Sequence, residues 1–262
     1  LKKFFSLVSV LLFLLTGCSN IRNEHVIQLT EPSVKSNNEV DWSYTGKTGP
    51  NYWSSIKNEY ALCSKGSYQS PINIEQTNKS SLPLGINYHS GEFKIEKEQF
   101  TTKLIPLKHS NSINLRGKNY ELIQFHFHTP SEHLLYGKQS ALEIHFVHKD
   151  ANGSIAVIGI LVNIGEFNKE FQKVITSNIL SGERQNGNIV TLNLHSFIPN
   201  TSKKIVYKGS ITTPPCTEGV TWIVYKKPIQ FSDKQIMFYQ NLYYPTNRST
   251  QPINDRVLLE SW

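Results

Sequence analysis

Cysteine is scarce in this chain, with three among 262 residues, and charged residues make up only 18%. So few thiols exclude a fold stapled by several disulfides. No segment repeats at a fixed period, which excludes a solenoid or propeller. Lysine and arginine are dispersed rather than gathered in one stripe, and no nucleic-acid-binding module stands out. The formal charge of +7 therefore reads as a solvated basic surface, and no nucleic-acid partner is expected. The apolar run from Phe4 to Leu15 is too short and wrongly flanked for a membrane-spanning helix. What is abundant is material for a core: 38% hydrophobic residues, with 12 Tyr, 13 Phe and 4 Trp. One enzyme-sized globular domain is the natural reading.

The apolar run follows Lys2-Lys3 and leads into Leu15-Thr16-Gly17-Cys18. That is the pattern of an export signal over residues 1–17. Leu-Thr-Gly-Cys resembles a bacterial lipobox, which implies cleavage before Cys18 and lipid on that cysteine; an ordinary secretory signal with an incidental cysteine is the alternative. Residues 18–40 are polar, rich in Asn, Ser and Glu, and lack periodic apolar positions, so they read as a tether to a globular domain over 41–262. Losing Lys2 and Lys3 with the leader lowers the formal charge from +7 to +5. The expected location is the cell envelope, as an exported lipoprotein on the periplasmic face or the cell surface, with the membrane a partner only through the lipid. In an oxidising compartment Cys63 and Cys216 form an even pair that reads as one disulfide, with two separate buried thiols as the alternative.

The main chemical signal is Gln124-Phe125-His126-Phe127-His128, followed by Ser131-Glu132-His133 and Glu143-Ile144-His145. In an extended strand alternate side chains share a face, so His126 and His128 project together while Phe125 and Phe127 fill the other side. Leu142 to Val147 alternates as well, putting Glu143, His145 and Val147 on one face. Thr129-Pro130 and Tyr136-Gly137-Lys138 supply turn chemistry between the two stretches, so neighbouring antiparallel strands can present three imidazoles to one point. Three protein ligands leave a tetrahedral zinc one position for water, the arrangement of catalytic sites. A His-x-His pair alone arises by chance about 0.3 times in a chain this rich in histidine, so the third histidine carries the argument. His148 falls on the opposite face from His145, and His25, His89, His109 and His195 lack converging partners. None of these five is expected to bind metal.

Four strings, QFHFHTPSEH (Gln124 to His133), ALEIHFVH (Ala141 to His148), YKGSITTPPCTEGVTWIV (Tyr207 to Val224) and QSPINI (Gln69 to Ile74), resemble the alpha-class carbonic anhydrases, in the same order. The short Thr129-Pro130 link is similar to the bacterial branch, and the likeness runs from Asp41 to Trp262. It implies a mostly β (α+β) single domain with a large, mainly antiparallel central sheet of about ten strands and peripheral helices. It implies Zn2+ as cofactor and the reversible hydration of carbon dioxide to bicarbonate and a proton, by attack of zinc-bound hydroxide. Carbon dioxide, bicarbonate and water would be its small-molecule partners; the oligomeric state stays open.

Carried residue by residue onto matching positions, the resemblance makes His126, His128 and His145 the zinc ligands. Gln124 would orient His126, Glu143 would orient His145, and His133 would be a structural histidine bonded near Glu143. Thr212 would accept a hydrogen bond from the hydroxide and donate one to Glu132. A hydrophobic wall for carbon dioxide would comprise Val147, Val157, Ile211, Val220 and Trp222. Composition alone makes each of these a core residue, and Val147, Ile211 and Trp222 are the expected pocket members. Thr213 resembles a bicarbonate and inhibitor contact. Cys63 and Cys216 match the family's disulfide, and Ser70-Pro71 and Pro214-Pro215 match its cis prolines.

One departure concerns the proton. Fast family members carry a shuttle histidine after a strand similar to Phe93-Lys94-Ile95, and Phe100 takes that place here. A phenyl ring carries no proton. With reprotonation near the diffusion limit of ~10^10 per molar per second, an acid of pKa about 7 loses its proton to water at only about 10^3 per second. Turnover is therefore expected to depend on external buffer, with Tyr44 or Glu98 organising the exit water chain. Two other classes share part of the pattern. A zinc-binding adhesin or receptor would keep the ligands without needing Thr212, Glu132 and the apolar wall, and a dedicated zinc esterase would need a larger pocket.

Short strands are expected around Phe93 to Ile95, Lys103 to Leu107, Ser112 to Leu115, Glu121 to His128, Leu142 to Val147, Ile155 to Val162, Ile189 to Leu194, Lys204 to Tyr207 and Thr221 to Tyr225. Helices are expected over Glu166 to Ile179 and Asp233 to Leu242, the second opened by the capping-box pattern Ser232-x-x-Gln235.

Overall fold

The computed structural model describes residues 41–180, 186–201 and 203–261. The expected leader, Cys18, the tether and His25 lie outside them. Ten strands run side by side: β1 (Asn78–Lys79), β2 (Ser90–Lys97), β3 (Thr102–Pro106), β4 (Lys118–His128), β5 (Leu142–Lys149), β6 (Ile155–Ile164), β7 (Asn186–Asn193), β8 (Lys204–Ser210), β9 (Glu218–Tyr225) and β10 (Leu259–Ser261). Their spatial order is β7-β2-β3-β4-β5-β6-β9-β8-β10-β1, and three short strands, Leu84–Asn87, Ser112–Leu115 and Ile229–Phe231, complete a sheet of 13 strands. Most neighbours are antiparallel; β6 with β9, β6 with Ile229–Phe231, and β10 with β1 are parallel.

Period-two patterning fixes which face is which. Phe125 and Phe127 on β4 and Ile144 and Phe146 on β5 are fully buried. They join Ile158 and Ile160 of β6 in one large apolar cluster with Phe171 and Tyr239, which come from helices α1 (Lys169–Leu180) and α2 (Asp233–Tyr243). Burying each such side chain is worth roughly 1.5–3 kcal/mol. A one-residue slip would turn all four to the other face, so the register that aligns the histidines is set by the phenylalanines behind them. In that register His126 stands opposite His145, His128 opposite Glu143 and Gln124 opposite Val147, with a bulge between Val147 and His148.

The two helices differ in how well local sequence signals them. Ser232 and Gln235 form both bonds of the capping box at the start of α2. Helix α1 begins at Lys169 rather than Glu166, because Asn168 caps it: its Oδ1 accepts the Phe171 N–H at 2.9 Å, which satisfies one of the unpaired N–H groups of the first turn. Phe167 is left outside the helix and 57% exposed. Cys63 and Cys216 are joined in a disulfide across a sequence separation of 153. Ser70-Pro71 and Pro214-Pro215 are cis, and so are Thr129-Pro130 and Tyr244-Pro245. Tyr136 and Gly137, with φ of 52° and 73°, make the tight turn between the short strands Leu134–Leu135 and Lys138–Gln139, as two-residue hairpins with both central residues at positive φ do.

Candidate active site

On the face away from the helices, β4 and β5 bring His126, His128 and His145 together, with one ligand-capable atom of each within 4.8 Å of the others. The hydrogen bonds of the outward ring nitrogens determine the inward ones. His126 Nδ1 donates to Gln124 Oε1 at 2.8 Å, and His128 Nδ1 donates to the Thr246 carbonyl at 2.6 Å. His145 reverses the pattern, with Nε2 donating to Glu143 Oε1 at 2.9 Å. A neutral imidazole has one N–H and one lone pair, so Nε2 of His126, Nε2 of His128 and Nδ1 of His145 all carry lone pairs. Those of His126 and His128 face each other at 3.1 Å, where neither has a proton to offer the other.

Converging lone pairs require a cation. Tetrahedral zinc with Zn–N of about 2.0–2.1 Å places its ligand nitrogens roughly 3.3 Å apart; the His126–His128 pair at 3.1 Å matches that spacing, and the His145 nitrogen lies within 4.8 Å of both. Burial holds His126 well below the usual imidazole range, helped by His128 and His145, and burial also lowers His128 and His145. All three are thus neutral, as ligands must be. A second group of metal-ligating type, His133, Glu143 and His145, is already satisfied by its own hydrogen bonds.

Glu143 is the hub of that second group. Its Oε2 accepts the backbone N–H groups of Glu132 at 2.9 Å and His133 at 2.8 Å, and its Oε1 accepts His133 Nδ1 at 2.7 Å besides His145. Burial opposes its charge, but the His133 and His145 rings and the bonds they donate hold the carboxyl well below the usual range. His133 Nε2 in turn accepts from Tyr207 Oη at 2.7 Å. Gly159, opposite His145 on β6, leaves room for the hub: a Cβ there would lie 2.9 Å from Glu143 Oε1.

Glu132 is buried beside the ligands, its Oε2 3.6 Å from His128 Nε2 and 3.9 Å from His145 Nδ1. Oε1 accepts the Arg248 backbone N–H at 2.9 Å. Burial raises its pKa to about 7, against the pull of His145, the Thr212 hydroxyl and the Arg248 N–H. The expected Thr212–Glu132 contact is thus close enough to be felt, yet among the described residues Oε2 has no hydrogen-bond partner of regular geometry. A buried acceptor left in that state marks a place where polar chemistry is incomplete.

The apolar residues expected around carbon dioxide divide into buried and half-buried members of one cluster. Val157, Val220 and Trp222 are buried in one cluster, with Val147 and Ile211 half-buried against it. Trp222 donates to the Ser210 carbonyl at 2.9 Å, and its ring centroid lies 4.8 Å from that of His145. Thr213 is half-buried in the turn beside Thr212. Phe100 packs on Trp42 and Tyr44, with ring centroids 5.0 Å and 5.2 Å away. The Tyr44 ring reaches His128 at 6.5 Å, and burial, with the Glu132 charge, pushes its phenol pKa well up. Glu98 stands at the surface, ion-paired with Lys103. His133 is bonded to Glu143 as expected, and His148 lies on the far face, buried against Tyr88 Oη at 2.7 Å. His89, His109 and His195 are exposed.

Sequence reading missed Thr246 and Arg248. The first supplies a carbonyl and the second a backbone N–H, groups that every residue has. The Arg248 side chain is buried and spans Gln69 Oε1 and the carbonyls of Ser70 and Cys63 at 2.7–2.9 Å.

Residues 48–261 match the model of the eukaryotic-type carbonic anhydrases. The chain belongs to the alpha-class carbonic anhydrase family. It is 36% identical over 222 residues to a carbonic anhydrase of Klebsiella pneumoniae, covering 84% of this chain and 90% of that one. Among solved structures, an alpha-carbonic anhydrase from Thermovibrio ammonificans in complex with the inhibitor sulfanilamide superposes with a TM-score of 0.79 at 33% identity, covering 84% of this chain and 99% of that one. A hyperthermostable carbonic anhydrase from a hydrothermal vent chimney gives 0.77 at 39% identity, with 84% and 100% covered. As a carbonic anhydrase the protein is a zinc enzyme that reversibly hydrates carbon dioxide to bicarbonate and a proton.

Proposed function

We propose that His126, His128 and His145 hold the zinc, and that the residues around them perform the hydration as follows. The observation that carries the assignment is the convergence of three imidazole lone pairs, each fixed by an outward hydrogen bond to Gln124, Thr246 or Glu143. A zinc held there would bring the pKa of a bound water down to about 7 and so would supply a hydroxide equivalent at neutral pH, an effect for which carbonic anhydrases are the reference case. Thr212 donates its hydroxyl proton to Glu132 and can then only accept from the attacking oxygen, which turns that oxygen's lone pair toward the wall. Val147 and Ile211, backed by Val157, Val220 and Trp222, hold apolar carbon dioxide in line with it. Thr213 contacts the bicarbonate product before water replaces it.

Proton exit is the weak step. Phe100 cannot relay a proton, Tyr44 is kept protonated, and Glu98 stands at the surface, so external buffer must collect the proton. Outside the catalytic domain, a leader over residues 1–17, lipid on Cys18 and a tether over 18–40 would station the enzyme in the cell envelope; the lipobox-like Leu-Thr-Gly-Cys supports this. Stopped-flow carbon dioxide hydration by the zinc-loaded domain from Asp41 onward, across increasing imidazole, tests the catalytic reading. Turnover climbing with imidazole is expected. No hydration at any imidazole concentration would overturn it, and a high rate independent of imidazole would show that an internal relay exists.

A further inference from the structure

Lys103 is a cation on the face of the site that the hydration chemistry leaves unused. Strand β3 pairs antiparallel with β4, with Leu104 facing Phe125. Side chains alternate, so Leu104 points with Phe125 into the core, and Lys103 stands in line with His126 on the ligand face. Its side chain is only 27% exposed. Two acids adjoin it. Glu98 is ion-paired with Lys103 and is itself 43% exposed. Glu96, the cross-strand partner of Lys103 on β2, is engaged by Lys94 at 2.8 Å. On the other flank of the ligand row lie Val147, Val157 and Trp222, which continue the next row across β5, β6 and β9. The face is therefore divided, with hydrocarbon on one side of the histidines and an ammonium group on the other. Neutral carbon dioxide gains from the first. Only the charged product gains from the second.

We propose that Lys103 is a specificity-determining residue of the site: its ammonium group favours the entry and retention of bicarbonate and other small monovalent anions beside the ligand histidines, and Glu98 restrains it. The proposal rests on the reading of His126, His128 and His145 as the metal centre. A half-buried charge is screened less than a solvated one, whereas an exposed ion pair is weak. Glu98 accordingly tempers the lysine without cancelling it.

The test is calorimetric titration of the zinc-loaded protein with thiocyanate, alongside product inhibition by bicarbonate. Lys103→Gln is expected to weaken thiocyanate binding about fivefold, the size of one unit charge acting across several ångströms of intermediate dielectric. Lys103→Arg, which keeps the charge, restores it to within about twofold. Glu98→Gln, a surface change that does not threaten folding, tightens thiocyanate about twofold by releasing the lysine. Lys173→Gln removes the same charge from the exposed face of α1 and leaves affinity unchanged. Equal affinities in wild type and Lys103→Gln would overturn the proposal, as would an equal loss in Lys173→Gln. Carbon dioxide hydration by the wild type, run in parallel, keeps the two readings apart. Zinc and thiocyanate binding without hydration would sink the catalytic assignment while the lysine series still decides the role of Lys103.

Discussion

Glu143 shows how much one side chain can set. It accepts four hydrogen bonds and ties together His145, His133 and the backbone at Glu132 and His133. Such outward partners fix the tautomer and direction of a ligand ring, and their loss commonly costs 10–100-fold in metal affinity. Glu143→Gln turns an amide N–H toward groups that are themselves donors. Zinc affinity, measured by competition with a chelator, is expected to fall by about that factor of 10–100; a change under twofold would mean that Glu143 serves the fold and not the metal. Phe100 gives the complementary case, a residue whose chemistry withholds something. Phe100→His puts an ionisable ring among Trp42 and Tyr44, and turnover in weak buffer should rise several-fold, approaching the wild-type rate at saturating imidazole. An unchanged rate in weak buffer would locate the bottleneck elsewhere.

At the scale of elements, strand β5 carries opposite chemistries on its two faces. His145 looks to the ligand cluster, while His148 is buried on the far side, donating Nδ1–H to the Ala156 carbonyl at 3.3 Å and accepting from Tyr88. Burial lowers the His148 pKa to about 4, below the value near 6.5 of an unfolded histidine. The unfolded chain therefore binds this proton first. Stability from His148 is intact above about pH 6.5 and is lost as pH falls toward 4, by roughly 3 kcal/mol in all. Urea denaturation of zinc-loaded wild type and His148→Gln between pH 7 and 4 should show the wild type losing more; parallel curves would mean that this imidazole does not titrate on unfolding.

The strands β4 and β5 were legible because period-two alternation is a local pattern, and the same alternation placed the three histidines together. Helix α1 was read three residues too early because apolar spacing outlines a buried face, whereas the Asn168 cap decides where the turns begin. Thr246 and Arg248 left no trace in the sequence. They reach His128 and Glu132 across separations of 118 and 116 residues, through backbone groups without residue identity. Lys103 became visible only through the register of β3 on β4.

Across the whole molecule, the Cys63–Cys216 bond ties a distant chain segment to the turn that carries Thr212 and Thr213. Cys216 follows Thr212 and Thr213 in one turn, with its N–H donating to the Thr213 carbonyl at 2.8 Å, and the Ile211 N–H reaching the Thr217 carbonyl at 2.9 Å. Gln69 Nε2 donates to the Cys216 carbonyl at 3.0 Å. Arg248 joins the Cys63 carbonyl to Glu132, through its guanidinium at one end and its backbone N–H at the other. The three converging histidines sit instead on β4 and β5, whose register is held by the phenylalanine core. Loss of the bond should therefore separate stability and turnover from metal binding. Closing a loop of sequence separation 153 is worth about 5 kcal/mol on chain-entropy grounds, with roughly 2–5 usual in practice. The double variant Cys63→Ser with Cys216→Ser is expected to lose stability in that range by urea denaturation. Its carbon dioxide turnover should fall as Thr212 and Glu132 lose their mutual placement, while zinc affinity by chelator competition stays within about threefold of the wild type, because no ligand or ligand partner lies in the freed turn. Zinc affinity falling in step with turnover would instead show that the ligand strands depend on the disulfide, and that the core does not hold them by itself.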